Sequence, residues 1–180
     1  MQDEQSLIKR AQEHDRQAFA QLYEAYFDRI YRYIVLKTGD RTEAEDMTQQ
    51  VFLKAMEALP SYKWKNVPFS AWLYRIAHNQ VVDNLRRAGH RQTSELNEEI
   101  SQADPGGNPQ HQAEVSLDMQ QLVAASRHLT PAQREVIYLR FASDLPIAEV
   151  ARIMKRSEGA VKALQHSAVQ ALRKLMVENR

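Results

Sequence analysis

The stretch from Gln92 to Ser126 contains no Lys or Arg, carries six acids (Glu95, Glu98, Glu99, Asp104, Glu114 and Asp118), and has Pro105-Gly106-Gly107-Asn108-Pro109 near its middle. Two prolines around Gly-Gly-Asn cannot continue a helix, and few residues between Thr93 and Gln112 could anchor a core. The 180-residue chain is therefore expected to fold as two units, residues 1–91 and 113–180, joined by a flexible acidic linker over 92–112. The flanks have the opposite charge bias. Residues 1–91 hold 14 Lys/Arg against 12 Asp/Glu, and residues 127–180 hold 10 against five, an asymmetry that hints at partners.

Both units read as helical. There are only five Gly, and no segment alternates apolar and polar residues as a half-buried strand would. In the first unit, Leu7, Ile8 and Ala11 mark a short opening helix. Phe19, Leu22, Tyr23, Tyr26, Phe27, Ile30, Tyr33 and Ile34 then recur at three- and four-residue steps, the mark of a helix with a buried stripe, and Gly39 is its natural stop. A third helix buries Ala44, Met47, Val51, Ala55 and Ala58 and ends at Pro60; its other side shows Glu45, Asp46, Gln49, Gln50 and Lys54, which reads as a solvated face. The fourth carries Phe69, Trp72, Leu73, Ile76, Ala77 and Val81 inward, with Arg75, Asn79, Asp83, Arg86 and Arg87 off that stripe.

Between the third and fourth helices lies a loop of Tyr62, Lys63, Trp64, Lys65 and Asn66, and after the fourth comes a basic cluster, Arg86, Arg87, His90 and Arg91. Aromatic faces stack on unpaired bases and cations follow phosphates, so this mixture suits single-stranded nucleic acid. The competing reading is an ordinary amphipathic helix with core aromatics and solvated arginines.

The second unit has sharper punctuation. Its first helix runs through Val115, Met119, Leu122, Val123 and Ser126. Thr130, Pro131 and Gln133 form an N-cap, a first-turn proline and a capping-box partner. Val136, Ile137, Leu139 and Phe141 are the apolar candidates of the helix that follows. A short helix burying Ile147, Val150, Ala151 and Met154, a turn at 155–159, and a longer helix carrying Val161, Leu164, Ala168, Leu172 and Leu175 make a helix-turn-helix. In that motif the second helix lies in the DNA major groove and its early residues reach base edges. Ala151 is small where the helices cross, Ser157 can cap the second helix, and Lys162, Gln165 and His166 fall at groove-facing spacing. Lys155, Arg156 and Lys162 suit phosphates at a helix N-terminus; a plain helical hairpin is the alternative.

Several classes are excluded or disfavoured. No Cys is present, which removes disulfides and thiolate metal sites. The six His, at 14, 78, 90, 111, 128 and 166, have no close metal-ligand spacing, so neither a metal nor a cofactor is expected. No clustered acid–base groups suggest an enzyme. The polar N-terminus lacks a signal core, and no apolar run approaches the about 20 residues of a membrane span. A soluble cytoplasmic protein without membrane insertion is the expectation.

Three stretches, DRTEAEDMTQQVFLKAMEAL, PFSAWLYRIAHNQVVDNLRR, and LTPAQREVIYLRF followed by LPIAEVARIMKRSEGAVKALQHSAVQALRKL, occur in this order. Together they resemble bacterial RNA polymerase sigma factors of the extracytoplasmic-function group. The resemblance implies an all-α chain with a region 2-like helical bundle and a region 4-like helix-turn-helix domain, which directs promoter recognition and transcription initiation. It implies that Asp46, Gln49, Gln50 and Lys54 grip the polymerase clamp. Lys63, Trp64, Lys65, Asn66, Asn79, Asp83, Arg86 and Arg87 would meet the minus-ten element, and Arg156, Ser157, Glu158, Lys162, Gln165 and His166 the minus-thirty-five element. Implied partners are core polymerase, duplex and single-stranded promoter DNA, and an anti-sigma factor; the acidic linker would thread towards the RNA exit path. Two departures stand out. Leu164, Ser167 and Val169 occupy places where the group often has arginines, so Gln165 would favour adenine over guanine reading by Arg. Pro146 replaces a common Ser or Thr cap. The rival reading is a free-standing helix-turn-helix regulator that binds duplex DNA without polymerase.

Overall fold

The computed structural model describes residues 3–64, 67–92 and 117–178, and every regular element among them is helical. Lys65, Asn66, the linker and the expected start of the second unit near Ala113 lie outside the described residues. The first unit consists of α1 (Glu4–Gln12), α2 (Arg16–Thr38), α3 (Arg41–Ala58), a 3-10 turn (Leu59–Ser61) and α4 (Phe69–Gln92). The second consists of α5 (Leu117–Ser126), α6 (Pro131–Ile137) with a π-helical continuation (Tyr138–Ala142), α7 (Ile147–Met154) and α8 (Glu158–Glu178).

Local chemistry sets most helix boundaries. The Asp15 carboxylate accepts the N–H groups of Gln17 and Ala18 at 2.9 and 3.1 Å and so caps α2. Those backbone donors and the Arg10 guanidinium hold its carboxyl below the usual carboxylate range. At the other end Gly39 sits at φ 74°, a left-handed conformation that costs glycine least. Asp40 accepts the Glu43 N–H at 2.9 Å and starts α3. In the second unit the expected capping box is present, with Thr130 Oγ1 accepting from Gln133 N at 3.3 Å and Gln133 Oε1 from Thr130 N at 3.0 Å. Pro146 precedes α7 without a side-chain cap.

α2 is the axis of the first unit. Its buried residues Leu22, Tyr26, Ile30, Tyr33 and Ile34 meet Ala44, Met47, Val51 and Ala55 of α3 and Phe69, Leu73, Ala77 and Val81 of α4. Tyr26 and Phe69 pack edge to face at 5.4 Å between ring centres, as do Tyr33 and Tyr74 at 5.6 Å. Phe19, Tyr23, Phe27, Trp72 and Ile76 are half-buried against this core. Phe52 and Leu59, not on the expected stripe, are buried, because α3 is covered by α2 on one flank and by α4 on the other.

One apolar expectation fails. Phe141 is 57% exposed, while Val136, Ile137, Tyr138 and Leu139 are buried in unbroken succession. The π turn explains this: Ser143 N bonds to Tyr138 O across five residues, and the extra residue turns Phe141 outward.

The two units pack together. α7 lies against α4, and the π turn lies against α2, so the apolar core runs through both without a gap.

Candidate nucleic-acid interface

The polar side of α3 is exposed as its periodicity requires: Asp46, Gln49, Gln50 and Lys54 are all solvent-facing. Asp46, Gln50 and Lys54 also form one wall of a groove of about 500 Å³, whose other wall is Gln80, Asp83, Asn84 and Arg87 of α4. Gln80 bridges the walls, donating to Gln50 Oε1 and accepting from Lys54. Asn84 reaches back to Glu43. Asp83 and Arg87, expected on the DNA side, thus share a groove with three residues expected to face polymerase. Gln49 stands outside that lining, and Leu53 and Met56 on the same helix are large, apolar and exposed.

The loop before α4 is held from beneath. Gln12 Nε2 donates to the carbonyls of Leu59 and Tyr62 at 3.0 and 2.7 Å, and the Tyr62 hydroxyl donates to Val67 O at 2.7 Å. Tyr62 is buried, with its ring centre 4.9 Å from that of Trp72 and 5.8 Å from that of Phe69, so this aromatic belongs to the core. Lys63 and Trp64 face solvent; Trp64 is 40% exposed and meets Tyr62 edge-on at 6.3 Å. Asn79, Arg86 and Arg87 are exposed along α4. Gln12, the support of the loop, was not singled out from sequence; a lone Gln at the end of an amphipathic helix carries no signal for a contact nearly 50 residues away.

The helix-turn-helix is formed by α7 and α8. Lys155 adopts the left-handed conformation (φ 53°, ψ 46°), and Arg156 N bonds to Ala151 O at 2.9 Å, closing the turn. Ser157 Oγ accepts Ala160 N at 3.2 Å, so the serine caps α8 as expected. Val150, Ala151, Val161 and Ala168 are buried and lock the helices at their crossing. Arg156, Ser157, Glu158, Lys162 and His166 are exposed along the start of α8. Gln165 is half-buried, and its Oε1 accepts from Arg140 Nε at 3.1 Å, which leaves the amide NH₂ as its outward group. Gln170 Nε2 donates to His166 Nε2 at 2.9 Å, fixing that ring nitrogen as an acceptor.

Between the units lies a cleft of about 370 Å³, lined by Lys37, Arg75, His78 and Asn79 from the first unit and Glu135, Met154, Lys155 and Arg156 from the second. It brings together Asn79 and Arg156, which the resemblance would give to different DNA elements. Buried Glu135 is its base. The Tyr33 hydroxyl donates to Oε1 at 2.6 Å, His78 Nδ1 lies 3.2 Å from the same oxygen, and the Lys37 ammonium pairs with Oε2. Burial pushes this carboxyl up, but the hydrogen bond from His78, the Lys37 charge and the Tyr33 hydroxyl outweigh it and hold it down at about 2. The Tyr33 hydroxyl is driven the other way, first by burial and then by the Glu135 charge. Arg29 donates to Ser143 O at 2.7 Å and Ser70 to Glu149 Oε2 at 2.6 Å, adding two polar ties across the same boundary. None of these was expected from sequence. The available signal was Glu135 itself, a carboxylate leading into the apolar run Val136-Ile137-Tyr138-Leu139, where a charge needs a partner.

Among the described residues no group of three or more His, Asp or Glu is placed to hold a metal ion, and no helix is long and apolar enough to cross a membrane.

Two family models match the chain: Sigma-70 region 2 over residues 22–91 and Sigma-70, region 4 over residues 127–174. The sequence is 36% identical over 173 residues to the ECF RNA polymerase sigma factor BldN of Streptomyces coelicolor, covering 96% of this chain and 66% of that one. It is 32% identical over 177 residues to the ECF RNA polymerase sigma factor SigW of Bacillus subtilis, covering 93% of each. Among solved structures, the sigma factor RpoE of Bartonella quintana, in complex with the anti-sigma factor NepR, has a similar fold, with a TM-score of 0.72 at 23% identity over 90% of this chain and 98% of that one.

Proposed function

The chain belongs to the extracytoplasmic-function group of RNA polymerase sigma factors, and from that premise we propose how its surfaces divide the work of promoter recognition. It acts in transcription initiation as a specificity subunit, with core polymerase and promoter DNA as its partners. Sigma factors are non-enzymatic subunits, and in our reading this chain makes and breaks no bonds and works in the cytoplasm beside the polymerase.

Residues 1–91 act as the minus-ten and clamp-binding domain, residues 92–112 as an acidic connector, and residues 113–180 as the minus-thirty-five domain. The exposed α3 face, Asp46, Gln49, Gln50 and Lys54, grips the clamp. The loop Lys63–Asn66, with Asn79, Asp83, Arg86 and Arg87 on α4, receives the opened minus-ten strand. Stacking of a flipped base on Trp64 offsets part of the few kcal/mol that unstacking costs. Arg156, Ser157, Glu158, Lys162, Gln165 and His166 face the minus-thirty-five duplex. With its carbonyl oxygen already accepting from Arg140, Gln165 keeps its amide NH₂ as the donor for a base edge. An anti-sigma factor is a further partner of this assembly, as one is for the similar RpoE.

The observation that supports the duplex reading best is the capped α8 start, where Lys155, Arg156 and Lys162 all stand exposed. Transcription in vitro from a promoter library with core polymerase is the test. The chain should confer selective initiation above core alone, and no selection would refute the reading. Replacing Asp46 and Gln49 by Ala together should weaken polymerase binding about tenfold or more, as loss of two interface side chains does; unchanged affinity would reassign the α3 face.

A further inference from the structure

α1 does more than cover α2. Its seat there is secured by buried Ile8 and Ala11, by the Tyr26 hydroxyl donating to Glu4, and by Arg10 donating at 2.8 Å to Asp15, the N-cap of α2. Gln12, its last residue, is spent elsewhere. The half-buried amide donates to the Leu59 carbonyl at 3.0 Å and to the Tyr62 carbonyl at 2.7 Å. Both N–H groups of that amide thus go to main-chain oxygens at the entrance of the loop before α4.

The loop is fastened at its exit as well. The Tyr62 hydroxyl donates to Val67 O at 2.7 Å, and Trp72 N donates to Pro68 O at 3.1 Å where α4 begins. Burial, and then the Glu4 charge on α1, pushes that hydroxyl up to about 12, so it stays a donor throughout the neutral range. Tyr62 is held three ways: its carbonyl by Gln12, its hydroxyl on Val67, and its ring against Phe69 and Trp72. Trp64, two residues on, is exposed and stands edge-on to that same ring. What fixes Tyr62 therefore fixes the platform against which Trp64 rests.

Resting on the assignment of Trp64 to the opened minus-ten strand, we propose that Gln12 is a positioning residue for promoter opening. It ties Tyr62 to α1, so that the Trp64 ring is already in place when a flipped base arrives. A stacking platform ordered in advance loses less conformational freedom on binding. Without the two Gln12 bonds, the Leu59 and Tyr62 carbonyls turn to water and the segment after α3 gains freedom that the base must then remove. Gln12 itself touches neither DNA nor polymerase in this reading. Its effect is confined to the step at which the base is captured.

A promoter recovered from the library, with a fluorescent base analogue in its minus-ten element, reports opening by the holoenzyme as the base unstacks. Gln12→Met keeps the length of the side chain and removes both donors; Tyr62→Phe keeps the ring and removes the hydroxyl. Each should slow opening about tenfold, the size expected when one or two hydrogen bonds no longer order the platform, with affinity for core polymerase unchanged. In a Trp64→Ala chain, itself slow to open, either substitution should add less than about twofold, because nothing is left to position. A merely structural loss would be the same with and without Trp64. That result, opening at the native rate by both variants, or a fall in core affinity matching the fall in opening would overturn the proposal. Native opening by Trp64→Ala would refute the loop reading on which the proposal rests, and the proposal with it. A slow Trp64→Ala beside a Gln12→Met that opens normally would overturn the role of Gln12 alone.

Discussion

The two units solve the problem of staying folded in different ways. The first relies on length and aromatic bulk: α2 and α4 are 23 and 24 residues long, and Tyr26, Tyr33, Phe52, Phe69 and Tyr74 all lie within its core. The second has two helices of seven and eight residues, too short to be stable alone, and depends on caps, on a π turn and on the first unit's surface. Their polar groups follow the same division. In the α3–α4 groove they are exposed amides and charges, cheap to rearrange around a partner. Under the cleft between the units they centre on a buried carboxylate, which fixes position. The exposed groups of the groove stay solvated, whereas the buried Glu135 ties the second unit to Tyr33, Lys37 and His78 of the first.

The largest expected effect breaks the first unit's self-sufficiency. Phe69 is 1% exposed and touches the rings of Tyr26, Tyr62 and Trp72, so Phe69→Ala should cost about 3–5 kcal/mol. Urea unfolding would show it, and because the units share a core both should melt earlier. A second transition left unmoved would mean the units fold independently.

Acid is next. The Glu135 carboxyl sits near 2 in the folded chain and near 4.5 when unfolded, so the unfolded state binds the proton more readily. Its stabilisation is present above about pH 4.5, falls as pH drops from 4.5 towards 2, and is on the order of 3 kcal/mol when complete. Unfolding free energy measured between pH 5 and 2.5 should decline more steeply in the native chain than in Glu135→Gln, with Tyr33, Lys37 and His78 unchanged around it. Parallel curves would show that the cluster contributes nothing to stability.

Caps sharpen the contrast at smaller scale. Thr130→Ala removes a reciprocal box from a seven-residue helix and should cost about 1–2 kcal/mol, whereas Asp40→Ala removes one bond from an 18-residue helix packed along its length and should cost about 0.5–1 kcal/mol. Equal losses by thermal melting would mean that α6 is held by its tertiary contacts and not by its box.

What was legible in the sequence follows the same line. Signals confined to a few neighbouring residues carried through: Gly39 at a helix boundary, the Thr130–Gln133 box, the Ser157 cap, and the exposed faces of α3 and α8. Phe141 was misplaced because a π turn breaks the 3.6-residue period without leaving a mark in composition. Tyr62 was grouped with a solvent-facing loop, although its bond to Val67 and its place beside Phe69 put it in the core. The Glu135 cluster joins residues 57 to 102 positions apart, and no periodicity within one helix reports such a contact. Long-range polar pairing is the part of this fold that a single sequence hides.

The smallest expected effect separates folding from reading at one residue. Lys155 holds φ 53° at the turn of the helix-turn-helix, a conformation that costs a residue with a Cβ about 1–2 kcal/mol and glycine much less. Lys155→Gly relieves that strain but adds entropy to the unfolded chain, so stability should move by less than about 1 kcal/mol. The same change deletes a cation beside the start of α8, where a phosphate would sit. Affinity for a minus-thirty-five duplex should then fall at low salt, and the slope of its logarithm against log salt should shrink by about one. Lost stability with an unchanged slope would make Lys155 a structural turn residue only. An unchanged melt with a shallower slope would place a phosphate contact at this turn, on the unit whose short helices leave it least able to afford a strained residue without a use for it.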